Sequence, residues 1–165
     1  MTEKKTPKII EIFNKFFITG IFSGYMPIAP GSWGSLFACI ILWFAWPSLW
    51  YIQLVVIIIF YFIAVYFSDI GIKYFGPDDG HIVIDEWAGQ AVALFMAPHN
   101  IICYILGFFL FRLFDIVKPP PARQWEKISG GTGVVADDIA AGVYAAVVLH
   151  LIITLLRSWG IQWIG

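Results

Sequence analysis

Charge is scarce in this chain. Of its 165 residues only 13% are Asp, Glu, Lys or Arg, whereas 60% are apolar and mean hydropathy is +0.82. Soluble domains carry roughly 25% charged and about 45–50% apolar residues, so water is not expected to be the only solvent here. Cysteine is nearly absent too: Cys39 and Cys103 each sit in an apolar stretch and read as small core residues, not as a disulfide or thiolate metal pair. No Cys-x5-Arg loop, Asp-x-Asp motif, Gly-x-Ser-x-Gly elbow or His-Glu-x-x-His helix is present, so a covalent nucleophile is not indicated. The glycine elements Gly31-Ser32-Trp33-Gly34-Ser35 and Gly130-Gly131-Thr132-Gly133 lack the spacing and lysine of a nucleotide loop. A net charge of -1 without a basic stripe speaks against nucleic-acid partners. The polar start at residues 1–6 is not followed by a cleavable signal pattern.

What the chain does have is long apolar runs, all within a length suited to a single domain, residues 1–165. Residues 48–67 (SLWYIQLVVIIIFYFIAVYF) run about 20 residues without a charge, matching a ~30 Å hydrocarbon core at 1.5 Å per residue. Residues 138–156 form a second candidate span, closed by Arg157 and flanked by Trp159 and Trp163. Shorter apolar segments, 36–46, 87–97 and 101–117, are separated by Pro47 and by Pro98-His99-Asn100, where helices should end. The expected fold is therefore all-α: a polytopic integral membrane protein with short, interrupted membrane helices. Residues 1–18 are expected to form an interfacial N-terminal segment, since 9–22 mix apolar residues with Glu11, Asn14 and Lys15.

If consecutive segments run antiparallel, the 30–35 turn, the 68–86 loop and the 118–137 loop share one face. Lys4, Lys5, Lys8, Lys15, Lys73, Lys118, Arg123 and Lys127 fall on that face and Arg157 opposite, which makes the shared side cytoplasmic under the positive-inside rule.

The same face collects Asp69, Asp78, Asp79, Asp85, Glu86, Asp115, Glu126, Asp137 and Asp138. Asp85-Glu86 opens one segment, Asp115 closes the next and Asp137-Asp138 opens the last, so three chain positions bring carboxylates to one depth. Carboxylates near hydrocarbon are costly unless paired, solvated or bound to a cation, and hard oxygen ligands from several elements suit Mg²⁺. Helix capping alone could explain Asp85, Glu86, Asp137 or Asp138. Asp115 resists that explanation because it lies near a helix C-terminus, where the macrodipole disfavours an anion; a salt bridge to Arg112 is its bland alternative. Arg112, Lys118 and Arg123 could bind phosphoryl oxygens, although Arg123 and Lys127 equally suit lipid headgroups. Pro119-Pro120-Pro121 would stiffen the chain after Lys118. Free amides in the two glycine elements could hold an anion, while turn formation alone also accounts for them. His81 is a candidate base in a surface loop; His99 and His150 fall elsewhere. Metal-activated water attacking phosphorus needs only the residue types present.

Four ordered blocks, TGIFSGYMPIAPGSWGS, HIVIDEWAGQ, FRLFDIVKPPPAR and GGTGVVADDIAAGVYA, make the chain from about Thr19 to Tyr144 resemble the phosphatidylglycerophosphatase A family. The resemblance implies an Mg²⁺-dependent lipid phosphate monoesterase that converts phosphatidylglycerophosphate to phosphatidylglycerol in the bacterial inner membrane. It implies roles for Asp85, Glu86, Asp115, Lys118, Asp137 and Asp138, with Gly31, Ser32 and Gly34 in the first block, and leaves the division between metal ligand and base open. The combined expectation is catalysis by Asp85, Glu86, Asp115, Asp138 and His81. Substrate contacts are expected from Arg112, Lys118, Arg123, Gly31, Ser32 and Gly34, and metal binding from Asp85, Glu86, Asp115, Asp137 and Asp138. The competing class is a small carrier or channel, since interrupted helices and membrane-depth carboxylates also mark transporters. Acids at segment ends on one side favour headgroup chemistry over that reading and over a noncatalytic scaffold.

Overall fold

The computed structural model describes residues 7–77, 79–120, 122–125 and 128–161. Residues 1–6, Asp78, Pro121, Glu126, Lys127 and Trp163, which figure in the sequence reading, lie outside them. Seven α-helices form among the described residues: α1 (Lys8–Ile18), α2 (Pro30–Ala45), α3 (Trp50–Phe75), α4 (Ile84–Ala93), α5 (Ile101–Val117), α6 (Ala122–Trp125) and α7 (Gly131–Ser158). The fold is all-helical, and α3 and α7 are each long and apolar enough to cross a membrane.

The middle of the molecule is α4, a short helix enclosed by α2, α3, α5 and α7. Its small residues allow this. Ala88, Ala91 and Ala93 are fully buried, and α7 presses so close that a Cβ on Gly142 would run into the Gly89 carbonyl. Helices packed through Gly and Ala bring their backbones together and gain dispersion contacts that larger side chains would block. Around this centre α3 turns Ile58, Ile59, Phe62 and Tyr66 outward, an exposed apolar face beyond what scattered surface residues explain.

Several boundaries differ from the sequence reading. The Gly31–Ser35 stretch is not a turn: α2 begins at Pro30, where proline fits the first helical position because its missing N–H is one the helix start leaves unpaired. α3 continues past residue 67 to Phe75, so Asp69 and Lys73 are helical. α7 begins at Gly131, seven residues before Asp138, so Asp137 and Asp138 sit in its second turn and cannot be caps. The segment expected at 87–97 is α4, which starts at Ile84 and is a buried core helix. α5 matches its expected span of 101–117.

Candidate active site

The amino-terminal turn of α4, the carboxy-terminal turn of α5 and the second turn of α7 meet at one end of the bundle. They line a cavity of about 650 Å³ together with the 77–82 loop and residues 128–130; its walls carry Asp79, Asp85, Glu86, Asp115, Lys118, Asp137 and Asp138. Of the three polar regions expected to share a face, 68–86 and 118–137 line it, and 30–35 lies behind the lining through the Ser35–Glu86 contact. Pro47 and His99 mark the other end of the bundle, where His99 Nε2 meets the Trp43 carbonyl at 2.7 Å and Gln53 donates to the Pro47 carbonyl at 2.7 Å.

An ion-pair chain backs Glu86 and Asp115 on the lining. Glu86 Oε2 accepts from Ser35 Oγ at 2.7 Å and pairs with Arg112 Nη1, which also lies 2.9 Å from Asp115 Oδ2. Arg112, Glu86 and Asp115 side chains are all largely buried. Glu86 can approach this closely because Gly31 has no Cβ, which would collide with Glu86 Oε1. Lys118 also lies on the lining, and its Nζ donates to Asp137 Oδ2 at 2.7 Å. Lys118 adopts a left-handed conformation (φ 47°) as the residue closing α5, and the prolines after it prevent the helix from continuing.

Asp115 and Asp137 from these two pairings meet Asp138 in one cluster. One carboxylate oxygen each from Asp115, Asp137 and Asp138 lie within 4.8 Å of one another. Asp85 Oδ1, Asp137 Oδ1 and Asp138 Oδ2 are buried without a hydrogen-bond partner among the described residues. Buried carboxylates at this spacing repel one another unless they share a proton or meet a counter-charge. A hard divalent cation supplies one, and an all-oxygen carboxylate set is the donor chemistry that Mg²⁺ takes, so the residues present fit such an ion.

Other expected site residues stand elsewhere. Arg112 is not on the cavity wall and is committed to Glu86 and Asp115, which fits the salt-bridge alternative and not a phosphate fork. Arg123 is exposed on α6, away from the cavity lining. His81 also lies off the lining: its ring stacks on Phe75 and its Nδ1 faces Asp79 Oδ1. Asp79 does line the cavity, and its carboxyl is lowered from the usual range chiefly by the His81 backbone N–H, 2.9 Å away, and then by the His81 ring. Ser32 is half-buried off the lining, and Gly34 is a packing residue whose Cβ would crowd Val83. In the second glycine element, Gly130 reaches the cavity wall. The sequence reading placed Ser35 in the first glycine element and Asp79 on the acidic face but gave neither a site role. The signal for Ser35 was Pro30: a helix starting there puts Ser35 one turn beyond Gly31, on the face that meets α4.

Its relatives mark this all-helical chain as a phosphoric monoester hydrolase. The chain belongs to the phosphatidylglycerophosphatase A family, whose sequence profile matches residues 16–153. It is 38% identical over 137 residues to the phosphatidylglycerophosphatase A of Escherichia coli K12, covering 81% of this chain and 79% of that one. Its identity to the phosphatidylglycerophosphatase A of Haemophilus influenzae Rd is 36% over 163 residues, 92% of this chain and 97% of the relative. A Bacteroides thetaiotaomicron protein described as "Putative phosphatidylinositol-3-phosphatase" is 37% identical over 139 residues, 79% of this chain and 87% of the relative. No solved structure matches the chain.

Proposed function

We propose that this protein removes the terminal phosphate of phosphatidylglycerophosphate, as an Mg²⁺-dependent, multi-pass enzyme of the bacterial inner membrane with its cavity facing the cytoplasm. The observation that carries the reading is the meeting of Asp115, Asp137 and Asp138 oxygens within 4.8 Å inside a cavity that Lys118 also lines. Asp115, Asp137 and Asp138 would hold the cation, with Asp85 and Glu86 beside them. When bound, Mg²⁺ neutralises phosphoryl charge and makes water a stronger nucleophile. Lys118 offsets the negative wall on the Asp137 side. The Arg112 guanidinium fixes Glu86 and Asp115, so the carboxylates are set before substrate arrives. The unpartnered oxygens of Asp85, Asp137 and Asp138 are the acceptors available to orient an attacking water.

Membrane residence is supported by the two long apolar helices and the outward apolar face of α3. Its orientation is supported by Lys73, Lys118 and Arg123 near the cavity end and Arg157 at the far end of α7. Acids gathered at one end instead of mid-helix argue against a carrier.

The test is phosphate release by detergent-solubilised protein, with phosphatidylglycerophosphate and phosphatidylinositol 3-phosphate compared side by side, each with Mg²⁺ and with EDTA. Mg²⁺-dependent release from phosphatidylglycerophosphate is expected. Faster turnover of the inositol lipid would move the substrate assignment towards the Bacteroides relative, and full activity in EDTA would remove the metal from the mechanism.

A further inference from the structure

A second cavity of about 460 Å³ lies between α2 and α5, against Leu36, Ile40, Trp43, Ile105, Phe108 and Phe109. Among the described residues, none that lines it is charged. Two of its side chains with polar atoms are turned into the protein: Cys39 Sγ lies 3.7 Å from the Tyr104 carbonyl, and the Tyr104 hydroxyl 3.5 Å from the Leu42 carbonyl. A peptide or a polar headgroup would find few partners on this almost wholly apolar lining, whereas a hydrocarbon chain needs none.

The groove is connected to the acidic cavity along one helix. Ile105, Phe109, Leu113 and Ile116 recur at intervals of four, four and three residues, which puts them on one face of α5, and all four are exposed. Ile105 and Phe109 belong to the groove, while Ile116 lines the acidic cavity. This stripe runs about 17 Å at 1.5 Å per residue, so a single apolar track leads from the rim of the headgroup cavity into the groove. The other wall begins at Leu36, the residue after Ser35, whose hydroxyl holds Glu86.

We infer that this track and groove bind one acyl chain of the substrate, so that the enzyme recognises a diacyl lipid phosphate by its tail as well as its phosphate. The inference rests on the lipid-phosphatase reading above. A lipid whose phosphate lies among the carboxylates must lead its chains out past the rim, and the α5 stripe is an apolar path that begins there. Chain length then governs affinity: a tail too short to reach Phe109 and Ile105 leaves the groove unfilled.

The experiment compares dioleoyl and dihexanoyl phosphatidylglycerophosphate at fixed detergent for wild type, Ile105→Trp, Ile40→Trp and, as a control on the exposed face of α3, Ile59→Trp. The groove variants are expected to lose about tenfold in kcat/KM on the dioleoyl lipid and stay within about twofold on the dihexanoyl lipid, with Ile59→Trp unchanged on both. Equal losses on both lipids, or none on either, overturn the inference. A phosphatidic acid with a photoactivatable tail is crosslinked to the wild-type protein in parallel. Label concentrated on the α2 and α5 peptides and displaced by unlabelled dioleoyl lipid is expected; label spread evenly over α3 and α7 overturns the groove. Because crosslinking does not need turnover, a wild type inactive on both lipids counts against the proposed activity and leaves the groove to be decided by the label.

Discussion

Ser35 Oγ lies 2.7 Å from Glu86 Oε2 and 3.4 Å from Arg112 Nη1, so one hydroxyl accepts from the guanidinium and donates to the carboxylate that the guanidinium also pairs. α2 is thereby tied to the start of α4 and the end of α5. A hydrogen bond to a buried charge contributes about 1.5–3 kcal/mol. Ser35→Ala should therefore loosen Glu86, lowering kcat by about tenfold or more while the helical circular dichroism is retained. Wild-type turnover in this variant would show that Glu86 needs no second donor.

On the function proposed above, the Asp115, Asp137 and Asp138 cluster trades stability for activity. Three carboxylates with oxygens inside 4.8 Å repel unless they share a proton or a cation lies among them. Asp138→Asn should reduce phosphate release by about 100-fold or more, on the scale of losing a principal electrostatic contact, yet raise the melting temperature measured in EDTA. Wild type should gain about 2.7 kcal/mol of stability when Mg²⁺ is raised to 100 times its dissociation constant, and the variant much less. Thermal shift with and without Mg²⁺ checks both halves. A variant that melts lower than wild type in EDTA would mean that Asp138 is held by contacts stronger than the repulsion.

Asp69, exposed on α3, supplies the amino-terminal cap that α7 lacks in its own sequence: its Oδ1 accepts from the Gly131 backbone N–H at 2.6 Å. An acceptor and a negative charge both favour a helix start. Asp69→Ala should cost about 1 kcal/mol, seen as a lower melting temperature, with Asp69→Asn recovering part of it through its amide oxygen. Because Asp137 and Asp138 stand two turns into the helix that this cap begins, fraying should also raise the Mg²⁺ concentration needed for half-maximal activity.

Much of this arrangement is written in local pattern, and the missing parts are those that depend on packing. The convergence of the three acidic regions followed from counting apolar segments, and α5 kept its expected limits because Asn100 caps it and prolines follow Lys118. α7 was started too late because glycine is a poor helix former; nothing local shows that Gly131 and Gly133 are there to let the first turn of α7 lie close to neighbouring backbone. The enclosure of α4 was equally hidden, since a ten-residue apolar helix packed by protein reads the same as one entering lipid. Arg112 was read as a phosphate ligand from its residue type. Its engagement depends on Glu86, 26 positions away, and no one-dimensional spacing reports that pair.

Arg112 offers the sharpest separation between positioning the site and binding substrate. Its side chain is 14% exposed and faces Glu86 and Asp115, themselves 11% and 13% exposed. Removing a cation from such a group leaves two buried carboxylates without their partner, at a cost of about 3–5 kcal/mol. Arg112→Ala should therefore fall in melting temperature as well as in activity. Neutralising one of the stranded acids should return part of the loss, so Arg112→Ala combined with Glu86→Gln is expected to be more stable than Arg112→Ala alone, with a coupling energy of about 0.5–3 kcal/mol across the cycle. A guanidinium that served substrate phosphate would behave differently: Arg112→Ala would raise KM with the melting temperature unmoved, and Glu86→Gln would not rescue it. Melting curves on the four proteins of the cycle, read beside their KM values, decide which description holds.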